Sequence, residues 1–382
     1  MRWYSAPSWW QRFSSQPHQL FFVAALVWSL VAMVGMLRWL SVGSGLLWLN
    51  HGWALLYALF TNAFLGFLLT VIPRYQGVSA YRTRAYTPIW VLMQVGVAVG
   101  LMGWWPGLVM VAIAMGLACR LFIGLIRQSN RDTFESGVLT LLVGVGALGS
   151  AVAAVADALG WSVDRVVLTL VWVYLLPLIF VVANKMVPSF YAVYFGEMIP
   201  SRKGWVIVVG IGGWWLMGLM EAIGYEKVQG VAALLMALFV MGMISRWKIW
   251  RKAPPILWVK PLGMIWLPVG LLLVTVETLG ELNISKAGLH ALLVGFATTL
   301  LIGFGTRVIL GHSGQKIEAD RLSVGLFIWT QVVVGMRLLA SFVPLAYPKM
   351  WGVLMESAAI LWLVLFMLWG VRHGRTLLRI NQ

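Results

Sequence analysis

Apolar runs of about twenty residues, unbroken by charge, leave this chain one way to fold. In hydrocarbon every backbone N–H and C=O must be satisfied inside the structure, so only helices or a closed barrel can cross. A barrel needs strands that alternate apolar and polar residues. These runs are continuous and therefore read as helices. Composition agrees: of 382 residues 61% are hydrophobic and 10% charged, with mean hydropathy +0.89. The expected fold is all-α, a polytopic membrane protein of twelve transmembrane helices. The spans fall at roughly 19–40, 51–73, 87–105, 106–127, 137–157, 165–186, 204–224, 228–246, 257–278, 286–309, 323–345 and 349–371, within a few residues. Spans 3 and 4 meet tightly at Trp105–Pro106. No linker is long enough to part soluble domains, so residues 1–382 read as a single integral membrane domain.

The N-terminal MRWYSAPSWWQRFSSQPHQ is aromatic and polar, with no small-residue cleavage site after the first run. It reads as an interfacial segment with Trp3, Trp9 and Trp10 at headgroup level. The single cysteine, Cys119, excludes an intrachain disulfide and any cysteine-built zinc or iron–sulfur site. It lies in an apolar run and reads as a small packed hydrophobe.

The net charge of +16 would suggest nucleic acid in a soluble protein. Here it records topology, and no nucleic-acid partner is expected. About 22 of the 28 basic residues fall at the N-terminus, after even-numbered spans or at the C-terminus, among them Arg74, Arg131, Arg202, Lys203, Arg251 and Arg379. Asp157, Asp164, Glu221, Glu226 and Glu281 gather on the other face. The positive-inside rule then puts both termini in the cytoplasm.

Depth follows from direction. Spans 2 and 10 run inward, so His51 and His290 sit near outer ends. His18, His312 and His373 sit at inner ends, His373 in a basic tail at the interface. Two histidines at matched depth on different spans suit a heme held by two imidazoles, or each is an interfacial histidine bonded to a loop. Asn62 lies three α-helical turns plus about 20° from His51, on a face with Leu55, Ala58 and Leu69. Arg337 and Glu356 are charges in the outer halves of spans 11 and 12. They pair with each other, or Arg337 holds a heme propionate. At the inner end, TRVILGHSGQ (306–315) brings Arg307 and His312 to the cytoplasmic face. Snorkelling with helix capping is one reading, and a copper or heme ligand role for His312 is the other. Spans 2, 6 and 10 end alike, in FLLTVIPRY, VANKMVPSF and GTRVILGHS, which suggests three quasi-repeats of four helices.

GFLLTVIP at 66–73, MVPSF at 186–190 and HALLVGF…TRVILGHSG at 290–314 resemble signature segments of the NnrS family. The resemblance spreads over most of the chain and includes the twelve-span layout. It implies a heme- and copper-containing protein of the bacterial inner membrane, linked to nitric oxide and nitrosative stress, with nitric oxide or nitrosylated iron species as partners. His51, His290, Arg307 and His312 fall on family motif positions. Family members read His-Ala-His-Glu-Met where this chain has His51-Gly52-Trp53-Ala54-Leu55, and Lys185 replaces an arginine. Both departures weaken the case for copper. A more distant resemblance is to the main subunit of heme–copper oxidases, whose low-spin heme is held by histidines on spans 2 and 10. Spans 6 and 7 here hold no histidine, so that family's copper centre cannot be built.

The expected function is therefore a heme b protein of NnrS type in a lipid bilayer, with His51 and His290 as ligands and Arg307 and His312 at a separate inner site. An electron-carrying b-type cytochrome is the alternative, and a twelve-span transporter a more distant one. Whether the chain is an enzyme is left open, with a protective role favoured; its oligomeric state is unread.

Topology is directly testable. Reporter fusions after Gly45 and Ser162 are expected to read periplasmic and one after Lys252 cytoplasmic. The reverse pattern would overturn every depth assigned above.

Overall fold

A computed structural model describes residues 8–43, 51–198 and 203–379. Trp3 and Arg202 lie outside the described residues. Among those described, regular structure is helical throughout. A short helix, α1 (Trp9–Phe13), is followed by α2 (Pro17–Val42), α3 (His51–Gln76), α4 (Thr83–Leu101), α5 (Trp105–Ile126), α6 (Phe134–Ala158) and α7 (Asp164–Tyr194). Then come α8 (Gly204–Ile223), α9 (Glu226–Ser245), α10 (Pro255–Leu279), α11 (Ala287–His312), α12 (Arg321–Ala346) and α13 (Pro348–Leu377).

Each of the twelve expected spans coincides with one of the helices α2–α13, and 11 of them are long and apolar enough to cross a membrane. The exception is α4, diluted by Arg84 and Thr87 in its first turns and Gln94 further along. Its expected bounds were also displaced towards the C-terminus. Gly103, at φ 81, breaks the chain before Trp105, and Pro106 then starts α5, where a missing N–H costs nothing.

The fold divides into two compact units. One comprises Met1–Ala32, Leu47–Trp161 and Trp369–Gln382, and the other Met33–Leu46 and Ser162–Leu368. In the first unit α1 opens with a capping box: Gln11 N–H donates to Ser8 Oγ and Ser8 N–H to Gln11 Oε1. Trp9 and Trp10 are partly exposed, as an interfacial segment requires, and Trp9 Nε1 donates to the Leu378 carbonyl. Trp28 Nε1 donates to Gln94 Oε1 (2.8 Å), and Gln94 Nε2 to Asn62 Oδ1 (2.8 Å), so one amide ties α2, α4 and α3.

The second unit repeats that device. Trp266 Nε1 donates to Gln331 Oε1 (2.7 Å), and Gln331 Nε2 to Thr299 Oγ1 (3.1 Å), tying α10, α12 and α11. The shift in numbering that carries Gln94 to Gln331 also carries Asn62 to Thr299, and Gly66-Phe67 to Gly303-Phe304.

Three helices carry a π-helical stretch: Ala54–Thr61 in α3, Val171–Leu175 in α7 and Ala291–Thr298 in α11. These are the second, sixth and tenth expected spans, the three whose ends match in sequence. The same shift superimposes the first stretch on the third. They are also the most buried spans, at 94%, 78% and 78% of their apolar windows, against 50% or less for the other eight. Their i→i+5 turns each take an extra residue and retard the helical phase. That corrects the shared stripe expected for His51 and Asn62: His51 is exposed while Asn62 is fully buried. The basic-tail reading of His373 is also corrected. The helix runs on to Leu377, and His373 is wholly buried, its ring 5.2 Å from that of Trp369. His18 is buried as well, beside Phe22.

The α4–α5 hairpin depends on bare backbone. A Cβ on Gly107 would collide with the Gly100 amide and approach Gly96 O to 2.6 Å. Gly107→Ala is expected to lower the thermal midpoint in detergent, by about 1–3 kcal/mol in stability or more. Gly116→Ala, which meets open space, should leave it unchanged.

Candidate functional site

One end of the second unit brings together two of the polar side chains singled out in the sequence, His290 and Arg337. The turn before α11 holds Glu281, Ser285 and Lys286 at φ 52, 49 and 54, a left-handed backbone that costs non-glycine residues about 1 kcal/mol or more each. The strain sets up a carbonyl cradle. His290 Nδ1 lies 2.8 Å from the Lys286 carbonyl. Arg337, 8% exposed on α12, donates from Nη1 to Ser341 Oγ (2.6 Å) and from Nη2 to the Ser285 carbonyl (3.2 Å). The same Nη2 is 3.1 Å from His290 Nδ1 and 3.2 Å from Nε2. One tautomer satisfies both neighbours: Nδ1–H donates to Lys286, and Nε2 presents its lone pair to the guanidinium.

Glu277, two residues before the end of α10, completes the cluster. Its Oε2 accepts from Gly288 N–H (3.3 Å), and its buried Oε1 has no hydrogen-bond partner among the described residues. It lines a cavity of about 770 Å³ together with Tyr225, Glu226, Glu281 and Asn283. Across that cavity Lys227 and Glu281 form an ion pair at 2.8 Å, which pulls the Glu281 carboxyl below the usual range.

The other expected residues are placed as follows. Glu356 is half-buried on α13 and is not among Arg337's partners; Ser341, Ser285 and His290 take that role. Asn62 is engaged in structure, with Nδ2 donating to the Ala58 carbonyl (2.9 Å) and Oδ1 accepting from Gln94. His51 opens α3 in the first unit, and His290 belongs to the second. His312 ends α11, half-buried. Arg307 lies one and a half turns before it, its guanidinium carbon 4.1 Å from the centre of the Phe190 ring. Among the described residues no three His, Cys, Asp or Glu side chains gather as a metal group.

Sequence reasoning missed Glu277, Ser341 and Lys260, the last a fully buried lysine on α10. Glu277 and Lys260 carried a usable signal, a charge inside an apolar run. Ser341 carried none, because serine is common in membrane helices at packing positions.

Comparison with known proteins adds one match. The model of the family described as NnrS protein covers residues 12–380. No curated protein matches the chain.

The hydrogen bonds separate two partners for Arg337. Arg337→Met leaves the Ser285 carbonyl and His290 without their donor, and is expected to cost about 1–3 kcal/mol. Glu356→Gln should leave the thermal midpoint of the purified protein within error. Equal losses in both variants would restore a coupling between them.

Proposed function

The chain belongs to the NnrS family, and on that premise we propose that it is a heme-binding protein of the bacterial inner membrane acting in the response to nitric oxide and nitrosative stress. The observation that carries the heme reading is the setting of His290. A histidine that ligates a metal through Nε2 usually donates its Nδ1–H to a carbonyl or carboxylate, which fixes the tautomer and turns the ring. Lys286 supplies that carbonyl at 2.8 Å.

Arg337 fits the same reading. It is a buried guanidinium whose partners are a hydroxyl, a carbonyl and a ring, none of them a carboxylate. A propionate offers the planar pair of oxygens that this fork matches. Coordination by His290 would require Arg337 to yield the Nε2 lone pair. His51, the other histidine on a family motif position, is the proposed second ligand. Heme iron would supply one-electron chemistry and an affinity for nitric oxide. Copper is no part of this proposal.

We also infer that helices α2–α5 and α10–α13 are copies of one four-helix unit. The matched tryptophan–glutamine ties and the superimposable π stretches support it. The third π stretch, in α7, favours a related unit between them. In this reading the chain has twelve spans, with both termini cytoplasmic.

The test is an optical spectrum of the detergent-purified protein. A Soret band is expected, lost or strongly shifted in His290→Ala and in His51→Ala. An unchanged low-spin spectrum in both variants, or no heme in the wild type, would reject the ligation.

A further inference from the structure

At the inner end of the second unit two cations lie close together with no acid beside them. Lys260, on α10, is fully buried; its Nζ donates to the Ile256 carbonyl and lies 5.5 and 5.8 Å from the ring centres of Phe190 and Phe304. Arg307, on α11, is half-buried, its guanidinium carbon 4.1 Å from the centre of the same Phe190 ring. No hydrogen bond or ion pair reaches that guanidinium among the described residues. Neighbouring cations near the inner face do find acids: Arg251 pairs with Glu197 at 2.8 Å and Lys316 with Glu318 at 2.6 Å.

Ring faces attract a cation by about 0.5–2 kcal/mol. Taking a charge out of water costs several kcal/mol per ion even after relaxation. The rings and one carbonyl therefore do not keep two basic side chains charged on adjoining helices unless an anion joins them. A pair of ammonium and guanidinium groups with most of their N–H donors unused is matched by an anion that brings several acceptor oxygens.

We propose that Lys260 and Arg307 form an anion site that takes a phosphate group, with Lys260 as its floor, Arg307 at its mouth and Phe190 and Phe304 as walls. Phosphate is favoured over a carboxylate because three or more oxygens and up to two negative charges suit two cations. Depth is consistent with this. Lys260 stands five residues inside the start of α10 and Arg307 five before the end of α11, each roughly 7–8 Å from a helix end. That is where a basic pocket between membrane helices meets the headgroups of the cytoplasmic leaflet. The phosphate comes either from a lipid headgroup or from free inorganic phosphate. The site is independent of the heme reading, since it lies at the opposite end of α11 from His290.

Two measurements on the full-length protein in detergent distinguish the sources. Native mass spectrometry compares dioctanoyl phosphatidylglycerol with dioctanoylglycerol, which lacks the phosphate. Thermal midpoints compare potassium phosphate with potassium chloride at equal ionic strength. Preferential binding of the phospholipid assigns the site to lipid, and a phosphate-specific rise in midpoint assigns it to the free ion. Either must weaken about tenfold or more in Arg307→Gln, the change expected when one charge-assisted partner is lost. Arg307→Lys should retain part of the affinity, keeping the charge without the fork. Lys260→Met removes the floor; should it fail to fold, the half-exposed Arg307 variants decide alone. Absence of both signals in the wild type, or undiminished binding in Arg307→Gln, overturns the proposal.

Discussion

A polar group inside a helix bundle in hydrocarbon has no water to fall back on, and much of this structure follows from how such groups are paired. The π stretches show the problem at its sharpest, since an i→i+5 turn disturbs the regular ladder and leaves carbonyls to be satisfied. Side chains at the end of each long stretch answer it. Thr61 Oγ1 donates back to the Leu56 carbonyl (2.8 Å) and Thr298 Oγ1 to the Leu293 carbonyl (2.9 Å). Asn62 adds a bond to the Ala58 carbonyl, and its own oxygen is taken by Gln94. Thr299 stands in the corresponding place and is taken by Gln331. Tryptophan indoles close each chain, so no amide in either tie lacks a partner. Each tie also fixes three helices at one depth, which apolar side chains packed in lipid cannot do by burial alone.

This arrangement explains what the sequence could and could not disclose. Helix existence and type were legible, because length and continuity of an apolar run decide them. Ends were less so: α4 lies several residues before its expected bounds, since Gly103 and Pro106 set the break and not the hydropathy. Helical phase was not legible at all where it mattered. A period of 3.6 residues extrapolated from His51 to Asn62 crosses eight π-helical residues and arrives on the wrong face. The proposed repeat, by contrast, has its sequence trace in three matching helix ends. Its structural counterpart, the pair of tryptophan–glutamine ties, involves residues too common to stand out in a single chain.

Charges were read correctly as unusual and less well as pairs. Arg337 invited a carboxylate partner, and Glu356 was the nearest in sequence pattern. The folded chain supplies a serine, a carbonyl from a strained turn and an imidazole in its place. Turns with positive φ cannot be anticipated at Ser285 and Lys286, since nothing in those residue types favours it. His373 was misplaced for a simpler reason: helix α13 continues past its apolar run, carrying a basic stretch and a buried histidine together.

The two ends of α11 therefore pose different chemical problems on one helix. At the His290 end Arg337 is bonded to neutral acceptors, and Glu277 takes the Gly288 N–H on one oxygen while the other stays unbonded among the described residues. At the other end Lys260 has one carbonyl and two aromatic faces and Arg307 one aromatic face, and among the described residues no acid bonds to either. On the readings proposed above, the His290 end would take a group that accepts a nitrogen lone pair and the Arg307 end one that brings oxygens. On the same readings this helix would hold two different ligands, one at His290 in its first turn and one at Arg307 near its other end.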